Sequence, residues 1–125
     1  MGSQLINFAS ERTNPEIPNV KDIDPKELWD KRTQVVIIDV RRPDEFTGEL
    51  GHIPGAKLMV LDTLPERVSE LPSDKTIVFV CRSGGRSARA TAFAHESGLA
   101  NTFNMMGGMI LWNQMSLEVE GKSGG

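Results

Sequence analysis

Apolar residues in this chain come in unbroken blocks instead of alternating with polar ones. Val35 to Val40 is a β-branched run interrupted only by Asp39, and Thr76 to Val80 repeats the signature. A strand that is apolar at consecutive positions hides both faces, as strands do in a parallel sheet covered by helices on each side. Between the two runs, Pro43 to Phe46 reads as a helical turn, Gly51 to Gly55 as a tight turn, and Asp62 to Leu71 as a helix ending before Pro72. Upstream, Asp24, Pro25 and Glu27 make a capping-box-like start for a short helix to about Lys31, with Leu28 and Trp29 toward the core. Downstream, the Ala-rich segment Ser87 to Ser97 predicts a helix closed by Gly98. Thr102 to Asn104 then predicts a short strand, and Gly107-Gly108 the opening of a last helix through Trp112. The alternation of strand and helix predicts an α/β fold.

The pattern also sets boundaries. Residues 1–19 are polar, carry Pro15 and Pro18 and show no periodicity, which predicts an arm on the surface; residues 20–117 make the folded domain, and residues 118–125 a flexible tail. At 125 residues there is room for one domain that buries roughly two-thirds of its unfolded surface. A net charge of −3 lacks the basic excess that nonspecific nucleic-acid binding needs, so any anion site is built locally. The apolar runs are far shorter than the roughly 20 residues that span a bilayer, and Leu5-Ile6 is too short for a secretory signal. The chain therefore reads as cytoplasmic, although Met1-Gly2-Ser3 has the look of an expression scar that leaves room for a removed leader.

The candidate chemistry centres on one residue. Cys81 is the only cysteine, so no intrachain disulfide forms, and His52 and His95 provide no zinc-type spacing with it. It stands at the carboxyl end of a buried strand, where open α/β sheets place their ligands. Arg82-Ser83-Gly84-Gly85-Arg86-Ser87 follows, leading straight into a predicted helix. The free N–H groups of a first helical turn and of a curled loop stabilise an anion, here a charged sulfur. Gly84 and Gly85 permit positive φ in such a loop, and Arg82 and Arg86 add fixed charge. A cysteine that merely packs needs none of these neighbours. Asp39 and Arg41, just past the first strand, are expected to form a supporting shell in which the carboxylate holds an arginine or the loop backbone; Glu45 is expected to hold a loop arginine. His52 reads as a turn residue bonding backbone, His95 as solvent-facing. Met105, Met106 and Met109 read as core or pocket wall, and Phe93 and Trp112 as core.

Three segments together resemble the rhodanese family. Cys81 to Ser87 is similar to its active-site loop, Ile38-Asp39-Val40-Arg41 with Glu45 and Gly51-His52-Ile53-Pro54-Gly55-Ala56 to its first signature, and Gly107-Gly108 with Trp112 to its closing motif. The matches keep the family's order across about residues 20–115. The resemblance implies a central, mainly parallel sheet of about five strands with helices on both faces. It also implies a sulfurtransferase in which Cys81 takes a sulfane sulfur from thiosulfate or a small persulfide and hands it to a thiophilic acceptor, cyanide in vitro or a thiol or protein in the cell. Substrate contacts are expected from Arg82 to Ser87, and neither metal nor organic cofactor is implied. Some thiosulfate-using members carry an arginine near the position of Glu45, so an acidic residue there points away from that donor. Two other readings stay open. One is a non-catalytic binding or sulfur-carrier module, and the other a Cdc25-like phosphatase. Tyrosine-type phosphatases place five residues between cysteine and arginine, whereas Cys81 and Arg86 are separated by four, a smaller ring.

Overall fold

The computed structural model describes residues 5–122; Met1-Gly2-Ser3 and the last three residues of the expected tail lie outside them. The two apolar runs form neighbouring parallel strands, β3 (Val36–Asp39) and β5 (Ile77–Val80), with Ile37 beside Val78 and Asp39 beside Val80. On the far side of β5 lies β6 (Thr102–Met105), then β2 (Lys21–Ile23), both parallel, while β4 (Lys57–Leu58) flanks β3. A two-residue strand, β1 (Arg12–Thr13), pairs antiparallel with β2 and completes the order β1-β2-β6-β5-β3-β4. The sheet thus has six strands where about five were expected. The added edge comes from the segment expected as an arm.

Alternation within each apolar run feeds two separate cores. Ile37, Val78, Val80 and Phe103 point to one face, where Leu28 of α1 (Pro25–Lys31) and Met109 and Trp112 of α5 (Gly108–Gln114) close over them. Ile38, Ile77, Phe79 and Cys81 point to the other, against Leu64 of α3 (Leu64–Arg67) and Ala90 and Ala94 of α4 (Gly85–Glu96). Each fully buried aliphatic side chain contributes about 1.5–3 kcal/mol. This double burial is why the runs lack alternation. It also fixes which way the cysteine faces: two residues beyond Phe79, Cys81 shares its α4 side. Among the described residues no helix is long and apolar enough to cross a membrane.

Three expectations change at the level of single elements. The helix expected over Asp62–Leu71 is broken into a 3-10 turn (Leu61–Thr63), α3 and a second 3-10 turn (Val68–Glu70). Pro65 has no N–H to reach back to Leu61, so no continuous ladder runs through it. The capping box at α1 is not made either. Asp24 forms no side-chain cap bond, and Glu27 turns outward to accept the N–H groups of Ala9 (2.7 Å) and Ser10 (2.8 Å) and the Ser10 hydroxyl (2.6 Å), with Lys31 also 2.8 Å away. Glu27 therefore ties down residues 8–10. Phe8 is buried there, edge-to-face on Phe103 at 5.1 Å. At the other end, Glu120 exchanges backbone hydrogen bonds with His52 (2.9 and 3.0 Å), and Trp112 Nε1 donates to Glu118 O at 2.9 Å. Residues 118–120 of the expected tail are thus fastened to the domain.

Burial works against ionisation of Glu27, but the Lys31, Ser10 and Ala9 bonds outweigh it and hold the carboxyl at about 2 instead of the ordinary 4.5. The folded value is the depressed one. Its stabilisation is therefore complete above pH 4.5 and is lost as pH falls toward 2. Glu27→Gln should lower unfolding free energy at neutral pH by about 1–3 kcal/mol and flatten its pH dependence across that window, as read by urea denaturation.

Candidate active site

The chain leaves β5 at Val80 and enters α4 at Gly85, so four residues make the whole crossing. Cys81, at 0% exposure, points under this loop. Its Sγ accepts the Gly84 N–H at 3.0 Å and lies 3.2 Å from Ser87 Oγ. Gly84 caps the helix at φ 106°, in the left-handed region where a side chain is strained. The positive φ expected at both glycines is found only here. Gly85 has ordinary backbone and open space where a Cβ would stand. Behind the sulfur runs a 12-residue helix whose first N–H groups have no helical acceptor, an electropositive end facing the loop.

The loop is held from below by α5. Met109 N–H donates to Cys81 O at 2.9 Å and Ile110 N–H to Arg82 O at 3.0 Å. Such close backbone contact requires glycine at 108, with φ 58°, because a Cβ there would overlap the Arg82 carbonyl. The closing Gly-Gly pair thus serves the cysteine loop directly.

The charged residues are mostly paired with one another. Arg86, in the first turn of α4, forms a two-pronged bond to Glu45 of α2 (Pro43–Phe46): Nη1 to Oε1 at 2.8 Å and Nη2 to Oε2 at 2.9 Å. The Arg86 bond holds the Glu45 carboxyl at about 2, against partial burial, and raises the guanidinium in turn. Asp39 and Arg41 form a second pair, with side chains 1% exposed, joined by Nε–Oδ1 (2.9 Å) and Nη2–Oδ2 (2.7 Å) bonds. Of the two partners foreseen for Asp39, it takes the arginine and not the loop backbone. Arg41 Nη2 also reaches Gly51 O at 2.8 Å, fixing the glycine turn to the end of β3. Arg82 and Ser83 are exposed, and Arg82 has no ion pair among the described residues. It overlooks a cleft of about 160 Å³ bordered by Arg41, Glu45 and Leu50.

The remaining candidates fall outside this group. His52 stacks on Phe46 (3.7 Å between centroids), and its Nδ1 lies 2.8 Å from Phe46 O, a turn role as expected. His95 is exposed. Met105, Met109 and Trp112 are core on the α1–α5 side of the sheet, Phe93 packs partly buried against the other core on the α4 side, and Met106 lines a cavity of about 390 Å³ beside the loop. Missed in the sequence is a buried polar chain behind the sulfur: Ser87 Oγ bonds Asn104 Oδ1, and Asn104 Nδ2 donates to Asp22 Oδ1 at 2.9 Å. Only Asn104 carried a signal, as a polar residue inside an expected short strand; nothing local in the sequence links it to Asp22 or Ser87.

Gly108→Ala should wedge α5 away from the Cys81-Arg82 backbone. Unfolding experiments should show a loss of about 2–4 kcal/mol, with faster alkylation of Cys81 at every pH.

Comparison with known proteins agrees with this geometry. The family model described as "Rhodanese-like domain" matches residues 24–115. A protein of Allochromatium vinosum named sulfurtransferase is 33% identical over 108 residues, which span 84% of this chain and 99% of that one. The thiosulfate sulfurtransferase GlpE of Pseudomonas syringae is 32% identical over 93 residues, 74% of this chain and 86% of that one. Among solved structures, a rhodanese-related protein from Thermoplasma volcanium superposes with a TM-score of 0.73 at 28% identity, over 78% of this chain and 94% of its own. The six-stranded, mostly parallel sheet, the cysteine loop and these matches together place the chain in the rhodanese-like family.

Proposed function

We propose that this protein is a sulfurtransferase that carries a sulfane sulfur on Cys81, with a low-molecular-weight persulfide as donor and a thiol as acceptor. The observation that carries the reading is the seat of the sulfur: Cys81 Sγ accepts the Gly84 N–H, at the electropositive start of α4. In the first step the Cys81 thiolate attacks the outer sulfur of the donor. A new S–S bond forms, the donor's own S–S bond breaks, and its electron pair leaves with the inner sulfur as a thiolate. In the second step an acceptor thiolate attacks the same outer sulfur and Cys81 is released as thiolate. The two displacements leave no net oxidation or reduction, so no cofactor is called for. A Gly84 N–H already on the sulfur, with the start of α4 behind it, needs little reorganisation to hold the charged intermediate.

The Arg86–Glu45 pair supports both the reaction class and the donor. A phosphatase needs its loop arginine turned to phosphate, but Arg86 directs one N–H from each terminal nitrogen at Glu45, whose carboxylate also neutralises its charge. The same pairing withholds that charge from a sulfonate, which disfavours thiosulfate relative to a persulfide. That leaves Arg82 as the exposed cation of the loop.

Sulfur transfer should be measured with glutathione persulfide and with thiosulfate, each with cyanide as acceptor. Cys81→Ser should abolish both activities. Glu45→Gln should raise kcat/KM for thiosulfate relative to the persulfide by roughly tenfold, the worth of one freed charge-assisted bond. Hydrolysis of an aryl phosphate without sulfur transfer would overturn the reading in favour of a phosphatase. Absence of both activities in a chain that also takes up no sulfur would favour a binding module.

A further inference from the structure

The Ser87 hydroxyl has one proton and two acceptors in reach, Cys81 Sγ and Asn104 Oδ1. What decides between them starts at the far end of the buried chain. Asn14 Oδ1 accepts the N–H groups of Glu16 and Ile17, both at 2.9 Å, so its Nδ2 must face Asp22, donating at 3.0 Å. The Asp22 carboxylate only accepts, and it takes a second amide N–H from Asn104 at 2.9 Å. With its nitrogen committed, Asn104 must present its oxygen to Ser87. An amide oxygen cannot donate, so the hydroxyl proton lies on the Asn104 side and a lone pair faces the sulfur.

We propose that Asn104, oriented by Asp22, is a positioning residue that holds the Ser87 proton away from Cys81 until the sulfur is charged. With Cys81 as a thiol, its S–H donates to Ser87 Oγ and every member of the chain is satisfied. With Cys81 as a thiolate, the hydroxyl turns to donate to the sulfur and leaves Asn104 Oδ1 without a proton. The chain therefore opposes the anion that Gly84 and α4 favour, and it couples the nucleophile to residues 14–17 of the N-terminal segment. A structural role alone would not need the chain to end on the sulfur; buried polar groups of Asn and Asp are costly wherever they stand. The inference rests on the reading of Cys81 as the nucleophile, but its test requires no sulfur donor.

The test is the pH dependence of Cys81 alkylation by iodoacetamide in the full chain. The charged groups on elements packed round the sulfur are Arg82 and Arg86 of the loop and helix, Asp39 and Arg41 at the end of β3, Glu45 on α2 and Asp22 on β2. Ser87→Ala and Asn104→Ala change none of them. Asn104→Ala should raise the low-pH limb of the profile roughly tenfold, since Ser87 is then free to donate to the thiolate, and Ser87→Ala should lower it by a similar factor. In the Ser87→Ala background, Asn104→Ala should do nothing further. Asp22→Asn, which keeps the shape and lets Asn104 turn over, should act in the same direction as Asn104→Ala and should lose the part of its effect that runs through Ser87 in the Ser87→Ala background, leaving only the smaller offset from the charge removed at position 22. This variant covers the case in which Asn104→Ala folds poorly. Loosened packing would raise the high-pH plateau instead of displacing the limb. Shifts of the same sign for Ser87 and Asn104, or an Asn104 effect that persists without Ser87, would overturn the proposal. Sulfur transfer failing while these shifts appear would overturn only the proposed reaction.

Discussion

The step from Val80 into α4 is the constraint on which the rest of the site depends. In four residues the chain must turn from strand to helix, keep the Cys81 side chain on the α4 face of the sheet and leave the Gly84 N–H pointing at its sulfur. Such a short crossing has little freedom of its own. It keeps its shape because α5 presses two N–H groups onto the Cys81 and Arg82 carbonyls from the opposite side, a contact that only the missing side chain at Gly108 allows. Residues nearly thirty positions apart thus build one loop.

Around that loop, charge is arranged to be neutral in pairs and positive in one place. Asp39 absorbs Arg41, Glu45 absorbs Arg86, and what remains aimed at the sulfur is backbone: the Gly84 N–H and the first turn of a long helix. Backbone dipoles at a helix N-terminus stabilise an anion without a mobile side chain. It is the short crossing, with four residues between Cys81 and Arg86, that limits how much such a ring can enclose.

Much of this was legible because burial on two faces leaves a plain mark. The runs at Val35–Val40 and Thr76–Val80 place the sheet's centre, Gly98 ends α4, and Gly107-Gly108 opens α5, each where local chemistry demands. Strands of two or three residues, such as Lys57–Leu58 and Lys21–Ile23, leave no periodic trace, since sheet pairing defines them and not their composition. Glu27 was misread for a related reason. The sequence shows a carboxylate at the right spacing for its own helix, but Ala9 and Ser10, far behind it in the chain, bring more donors. Cys81, Arg86 and Glu45 were foreseen as neighbours from their order and charge. The polar chain from Ser87 to Asp22 was not, because it joins β6, β2 and the N-terminal segment, and such long-range bonds have no local signature.

In the proposed reaction backbone dipoles, and not the arginines, hold the charged sulfur, and a crystal structure of the protein treated with glutathione persulfide distinguishes the two. Electron density for one added sulfur on Cys81 should lie within hydrogen-bonding distance of the Gly84 N–H or its loop neighbours, with the Arg86–Glu45 pair still closed. An added sulfur met by an Arg86 that has swung away from Glu45, or density for added sulfur anywhere other than Cys81, would contradict it.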